Sequence, residues 1–187
     1  MVKIFDNFLD EKSHQNLYNE FLGPGFDWHL GLNGVAGQED KDSLDHYLFC
    51  NVLYTNMIAV HESFYKLAPI LNNKKLNMLS LIRVKANLYP RTSDIVKHGI
   101  HIDLPFGCST CIYYVNSNNG YTEFEDGTRV ESKANRLITF DSKYKHFGTT
   151  CTNERVRCMI NFNYFSIDRK DWHSNFEPRS VGLIPDG

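Results

Sequence analysis

From Leu79 to Phe165 the chain takes on a repeating texture that few folds accommodate. Short runs rich in β-branched and aromatic residues alternate with clusters of Asn, Gly and Asp. The runs are Leu79–Tyr89, Ile100–Asp103, Ser109–Val115, Tyr121–Glu125, Arg136–Phe140 and Arg157–Phe165, and each reads as a strand. Between them, Asn116-Ser117-Asn118-Asn119-Gly120 and Glu125-Asp126-Gly127 supply residues suited to positive-φ turns. An all-β block of about 85 residues preceded by helices predicts helices packed on a barrel or sandwich.

Two helices are expected ahead of that block. Asp10 caps the first, over about Glu11 to Leu22, with His14, Leu17, Tyr18, Phe21 and Leu22 on one face and Gly23-Pro24-Gly25 as its stop. For the second, Leu53, Met57, Val60, Phe64, Leu67 and Leu71 make one stripe at helical spacing, and Pro69 terminates or kinks its last turn. A polar loop over about Gly31 to Asp45 separates the two, and a polar tail follows Asp168. The 187 residues fit a single domain, helical over about 1–78 with a β core over about 79–168.

The net charge of −2 gives no basic field to draw in nucleic acid or an anionic membrane. Neither a signal-peptide core nor a membrane-length apolar run is present, so a cytoplasmic address is expected. The odd number of cysteines argues against a disulfide framework. Cys108 and Cys111 would face opposite sides of a strand, which disfavours a zinc site.

Candidate chemistry begins at His101-Ile102-Asp103. On a strand, residues two apart point the same way, so an imidazole and a carboxylate could share one ion. A lone match of this kind is expected by chance about half the time in such a chain. His146 lies after the strand ending at Phe140-Asp141 and could close a facial triad. Two histidines and one carboxylate leave three positions open on iron(II), the ligand set of non-haem iron oxygenases. A cation 9 to 11 residues beyond His146 could pair with the far carboxylate of a dicarboxylate co-substrate, and Arg155 and Arg157 both qualify. In the last run, Cys158, Ile160, Phe162 and Tyr164 form one face and Arg157, Met159, Asn161 and Asn163 the other. Periodicity alone leaves that polar face pointing either to solvent or into a cavity.

These pieces together resemble the iron(II)/2-oxoglutarate-dependent dioxygenases, in particular the prolyl 4-hydroxylase-like branch. The matching segments are Leu88-Tyr89-Pro90, His101-Ile102-Asp103, Thr110 to Asn116, Asn135 to Phe140, His146, and Arg157 opening the final strand. The resemblance implies an α+β, mainly β fold: a double-stranded β-helix (jelly-roll) with N-terminal supporting helices. It implies iron(II) held by His101, Asp103 and His146. 2-Oxoglutarate would chelate the metal, with its distal carboxylate on Arg157, or on Arg155 as the fallback. Tyr89 and Tyr114 match tyrosines that the family places near 2-oxoglutarate, or else are buried barrel aromatics with bonded hydroxyls. His98 stands where the branch often has tyrosine, and could touch substrate or remain a solvated loop histidine. Asn161 and Asn163 make the expected substrate pocket more polar than a proline-reading site needs. The activity implied is hydroxylation of an unactivated C–H bond, with dioxygen as co-substrate and succinate and carbon dioxide released. The leading substrate is a peptidyl residue such as proline. The alternatives are a free amino acid, a small metabolite or an alkylated nucleobase, or a non-catalytic jelly-roll binding module. The remaining histidines, His14, His29, His46, His61 and His173, are expected in solvated or capping roles.

Overall fold

The structure is a computed structural model that describes residues 1–32 and 47–166. Most of the polar loop from Gly31 to Asp45, His46, His173 and the tail after Asp168 lie outside the described residues.

In chain order the elements are β1 (Lys3–Phe5), α1 (Glu11–Leu22), β2 (His29–Gly31), β3 (Leu48–Thr55) and β4 (Ile58–Ala59). A 3-10 turn (Glu62–Leu67), the single-turn helix α2 (Ala68–Leu71) and a second 3-10 turn (Lys74–Leu76) lead into the β block. That block holds β5 (Met78–Pro90), β6 (Ser109–Tyr114), β7 (Tyr121–Phe124), β8 (Arg129–Glu131), β9 (Arg136–Asp141), β10 (His146–Gly148) and β11 (Val156–Ser166). All strand pairings are antiparallel. One sheet runs β1-β9-β6-β11-β5-β3-β2, with β4 attached to β3, and the other runs β10-β7-β8. The fold is mainly β and jelly-roll in kind, an open two-sheet form with no closed barrel among the described residues.

The first helix forms as its sequence predicts. Asp10 accepts from the Ser13 amide at 2.9 Å, a cap of the kind that contributes about 1 kcal/mol. The helix stops at Gly23, where a Cβ would lie 2.2 Å from the Asn19 carbonyl oxygen, so no side chain fits. His14, Leu17 and Phe21 bury one face against the outer surface of the larger sheet. Each large apolar side chain so buried stabilises by roughly 1.5–3 kcal/mol. His14 is not solvated: its Nδ1 lies 2.8 Å from the Tyr113 hydroxyl. His61 caps the 3-10 turn by accepting from the Ser63 amide.

The second helix is a correction, and with it the expectation that residues 1–78 are helical. Leu53 belongs to a strand, β3, which pairs with β5 from Phe49↔Leu88 to Tyr54↔Val84. Asn56 and Met57 both take positive φ, 50° and 65°, and form a two-residue loop between Thr55 and Ile58. Two consecutive left-handed residues suit the twist of a tight hairpin and cannot lie inside a helix. Met57 and Val60 are exposed, so the apparent stripe has no common face. Pro69 opens α2 near its N-terminus instead of ending a longer helix.

The parity of the last strand settles what it faces. Cys158, Ile160, Phe162 and Tyr164 enter the core under α1 and α2, together with Leu17, Leu67, Ile70 and Tyr113. Arg157, Met159, Asn161 and Asn163 turn to the other side, where Met159 joins Ile112, Tyr114, Phe124, Val130, Ile138 and Phe140 between the two sheets. Asn135, at φ 59°, ties the N-terminal arm to this block. Its side chain bonds both the amide and the carbonyl of Leu9, at 2.9 and 2.8 Å.

Candidate metal and co-substrate site

His101 and Asp103 do not lie on a regular strand. The expected strand Ile100–Asp103 is reduced to an isolated bridge in which His101 and His146 exchange both backbone hydrogen bonds at 2.9 Å. The bridge sets the two imidazoles side by side, with ring centroids 4.6 Å apart. Asp103 is anchored by its own amide, which donates to the Ser142 carbonyl at 3.0 Å. Asp103 Oδ1 lies 3.8 Å from His101 Nε2 and 3.9 Å from His146 Nε2, and the three donor atoms fall within 4.8 Å of one another.

The tautomers follow from the partners. His101 Nδ1 faces the Gly99 carbonyl at 3.1 Å, and His146 Nδ1 faces the Tyr144 carbonyl at 3.0 Å. A carbonyl only accepts, so Nδ1 carries the proton and each Nε2 keeps its lone pair toward Asp103. Burial lowers the pKa of His146 against the opposing pull of the Asp103 charge, which favours the neutral, metal-binding form. The other carboxylate oxygen, Asp103 Oδ2, accepts from Thr110 Oγ1 at 2.7 Å and Asn163 Nδ2 at 3.1 Å. Asn163 also donates to Thr110 Oγ1 at 2.9 Å and accepts from Arg83 Nε at 3.1 Å. One carboxylate oxygen is therefore held from behind while the other faces the two imidazoles. Such backing orients a ligating group and tunes its basicity. This donor set suits a divalent transition metal.

Asn163 was expected to line the substrate pocket. It is fully buried and committed to Asp103, Thr110 and Arg83, which corrects that expectation. Thr110 and Arg83 were not foreseen as parts of this support. Strand parity could have found Thr110, because it stands directly opposite Asn163 in the β6–β11 register.

Arg157 is fully buried, whereas Arg155 is exposed on the outer side near Tyr18 and Trp28, so the two candidate arginines are far from equivalent. Arg157 donates through Nε to Ser132 Oγ at 2.6 Å, through one Nη to the Thr149 carbonyl at 3.0 Å, and through the other to Thr122 Oγ1 at 3.1 Å. The rings of Tyr89 and Tyr114 flank it, each with its centroid 5.7 Å from the guanidinium carbon. No carboxylate lies within 4.0 Å of it among the described residues. Burial pulls the Arg157 pKa down, partly offset by the two tyrosines, and burial pushes both tyrosine hydroxyls up. Both phenols therefore keep their protons, and Tyr114 donates its own to Thr122 at 2.9 Å.

Gly148 leaves the space beside this arginine open, since a Cβ there would sit 3.1 Å from an Arg157 nitrogen and 3.7 Å from the Tyr89 hydroxyl. A cavity of about 150 Å3 extends from Gly148 and Tyr89 past His98 to His101 and Asp103, with Lys85 and Asn161 also on its wall. His98 is buried and stacked on Tyr89, with centroids 4.6 Å apart, so the solvated alternative for this histidine is corrected.

No family sequence model matches the chain, and no curated protein matches it. Solved structures do. A prolyl-4-hydroxylase from Pseudomonas putida aligns at TM-score 0.57 and 14% identity, over 89% of this chain and 93% of that one. A Trichoplax adhaerens prolyl hydroxylase in complex with a hypoxia inducible factor peptide aligns at 0.58 and 17%, over 94% and 87%. The epimerase SnoN, in complex with Fe3+, alpha ketoglutarate and a nogalamycin compound, aligns at 0.61 and 10%, over 100% and 88%. At these identities the likeness speaks for architecture, and the chain has the fold of the prolyl hydroxylases and other 2OG-Fe(II) oxygenases.

Proposed function

We propose that this protein is an iron(II)- and 2-oxoglutarate-dependent dioxygenase that hydroxylates an unactivated C–H bond, with a peptidyl residue such as proline as its target. The observation that carries the reading is Arg157. A fully buried guanidinium without a carboxylate partner is costly, and a bound anion in the adjoining space would offset that cost. Such an anion would lie in the cavity that also reaches His101 and Asp103. A ligand with a carboxylate at one end and a metal-chelating group at the other meets both demands, and 2-oxoglutarate is such a ligand.

In this reading His101, Asp103 and His146 would hold iron(II), a three-residue donor set of the kind that leaves room for a co-substrate. Iron(II) with 2-oxoglutarate and dioxygen supplies the oxidising chemistry, with succinate and carbon dioxide as co-products. Arg157, pre-oriented by Ser132, Thr122 and the Thr149 carbonyl, receives the distal carboxylate without having to reorganise. The protonated Tyr89 hydroxyl, near the space that Gly148 leaves, is available to donate to the same carboxylate. The complete burial of Arg157 strengthens its interactions relative to those of a guanidinium in water. The five free cysteines suit a reducing, cytoplasmic setting.

The test is succinate release from 2-oxoglutarate by anaerobically iron(II)-loaded protein on admission of air, for native protein and His101→Ala. Release by the native protein and its loss in the variant are expected; equal release from both would overturn the assignment. A +16 mass shift on a proline peptide, set against free amino acids and nucleotides, tests the substrate.

A further inference from the structure

The inward face of the β5–β11 pair is a ladder of four rungs. Arg157 stands opposite Tyr89, Met159 opposite Asn87, Asn161 opposite Lys85, and Asn163 opposite Arg83. The first rung belongs to the arginine pocket, and Asn163 in the last supports Asp103. The third rung has no role in either, although it opens on the cavity shared with His101 and Asp103.

Lys85 is only half-buried, yet it makes no hydrogen bond and no ion pair within 4.0 Å among the described residues. Arg83 uses Nε on Asn163 and likewise has no carboxylate within that distance. Two cations thus line one wall with no carboxylate within 4.0 Å of either among the described residues. Directly across from Lys85, Asn161 Oδ1 is a buried acceptor with no hydrogen-bond partner among the described residues. Side chains directly opposite on antiparallel strands have Cβ atoms about 5 Å apart, so one small ligand can reach both Lys85 and Asn161. A neutral apolar ligand would bury all three groups unsatisfied, and a ligand with the complementary charges and donors would satisfy them.

We propose that this cavity selects a substrate carrying a carboxylate, held by Lys85 and Arg83, with an N–H group nearby that donates to Asn161 Oδ1. The proposal deepens the oxygenase reading and rests on it for what happens to the bound molecule. The recognition itself stands on the unpartnered groups. The carboxylate can end a chain or a free amino acid, or it can belong to an acidic side chain beside the oxidised residue.

The test is calorimetric titration of manganese(II)-loaded protein saturated with 2-oxoglutarate, so that the Arg157 pocket is already filled. N-acetylglycine carries both features, N-acetylglycinamide lacks the charge, and N-acetylsarcosine lacks the N–H. The α-amide of N-acetylaspartate presents a side-chain acid instead of a terminal one. N-acetylglycine is expected to bind at least tenfold tighter than its amide, and the sarcosine analogue several-fold weaker than N-acetylglycine. The tighter of the two acids identifies the source of the carboxylate. Lys85→Gln should erase the preference for charge, Lys85→Arg should keep it, and neither should move 2-oxoglutarate affinity more than twofold. Equal binding of acid and amide to native protein, or binding of neither, overturns the proposal without needing any variant. So does a Lys85→Gln protein that retains the preference or weakens only 2-oxoglutarate. Succinate release is read separately: its absence beside an intact charge preference would sink the oxygenase reading and leave the anion site standing.

Discussion

Replacing Asn163 with Leu should weaken metal binding without touching a ligand. The side chain keeps its approximate volume, so the β6–β11 packing has little reason to collapse. Its amide, however, supplies one of the two donors to Asp103 Oδ2, at 3.1 Å, and also braces Thr110, the other donor, at 2.9 Å. A hydrogen bond to a charged group contributes about 1.5–3 kcal/mol, which corresponds to roughly 10- to 100-fold in affinity. Competition between the protein and a chromophoric chelator for manganese(II) or zinc(II) measures this directly. Thr110→Val removes the other donor, and the double variant should lose less than the sum of the single losses, because Asn163 and Thr110 also bond each other. An Asn163→Leu protein that melts like native and binds metal within twofold of native would refute the idea that this backing orients Asp103.

Three further outcomes follow from the geometry. Gly120→Ala places a Cβ 2.6 Å from both Arg157 Cδ and the Thr150 carbonyl oxygen, and the backbone oxygen has nowhere to go. About 1–3 kcal/mol of stability should be lost, and 2-oxoglutarate affinity at least tenfold, whereas Gly107→Ala, with nothing within 4 Å, should melt like native. Burial depresses the pKa of His14, so the folded state resists a proton that the unfolded chain accepts near pH 6.5. Its stabilising contribution is therefore complete above that pH and fades as pH falls toward the lowered folded value. The melting temperature of native protein relative to His14→Gln should drop between pH 8 and pH 5, and a flat difference would contradict the burial argument. Asn56 occupies the left-handed region, so Asn56→Gly should be neutral or slightly stabilising while Asn56→Ala costs about 1 kcal/mol, read from denaturant midpoints.

How far the sequence could be read depended on what set each feature. The strands carrying β5, β6, β7, β9 and β11 announced themselves because residue type and turn chemistry agreed locally. The stretch Leu53–Leu71 misled because a strand end, a hairpin loop and a 3-10 turn happened to space their apolar residues like a helix. The strand-like run from Leu48 to Thr55 and the Asn at position 56 were the contrary signals. At the candidate site, the order of segments in the family resemblance put His101, Asp103, His146 and Arg157 together, although the strand expected to carry His101 and Asp103 is only an isolated bridge. Ser132, Thr122 and Thr149, which fix Arg157, come from turns and the smaller sheet, and only the register of non-local pairing brings them together. Asn163 shows the limit of parity. That it shares a face with Arg157 was legible, but whether that face met solvent, a substrate or Asp103 depended on a β6 neighbour distant in sequence.

The position of β11 has a kinetic consequence. It is the last described strand in the chain, yet it lies in the interior of the larger sheet, between β5 and β6. During synthesis, β5 and β6 emerge with the place between them unfilled, and β5 must pair across at least 65 intervening residues before that place closes. Contacts so distant in sequence form slowly and late. Arg157, Asn161 and Asn163 all arrive on that strand, so a nascent chain carries its imidazoles and Asp103 well before it carries the arginine pocket and the carboxylate's support. The candidate site is thereby completed only when the sheet is, and a growing chain that has not yet paired β11 holds His101, Asp103 and His146 without Asn163 behind the carboxylate.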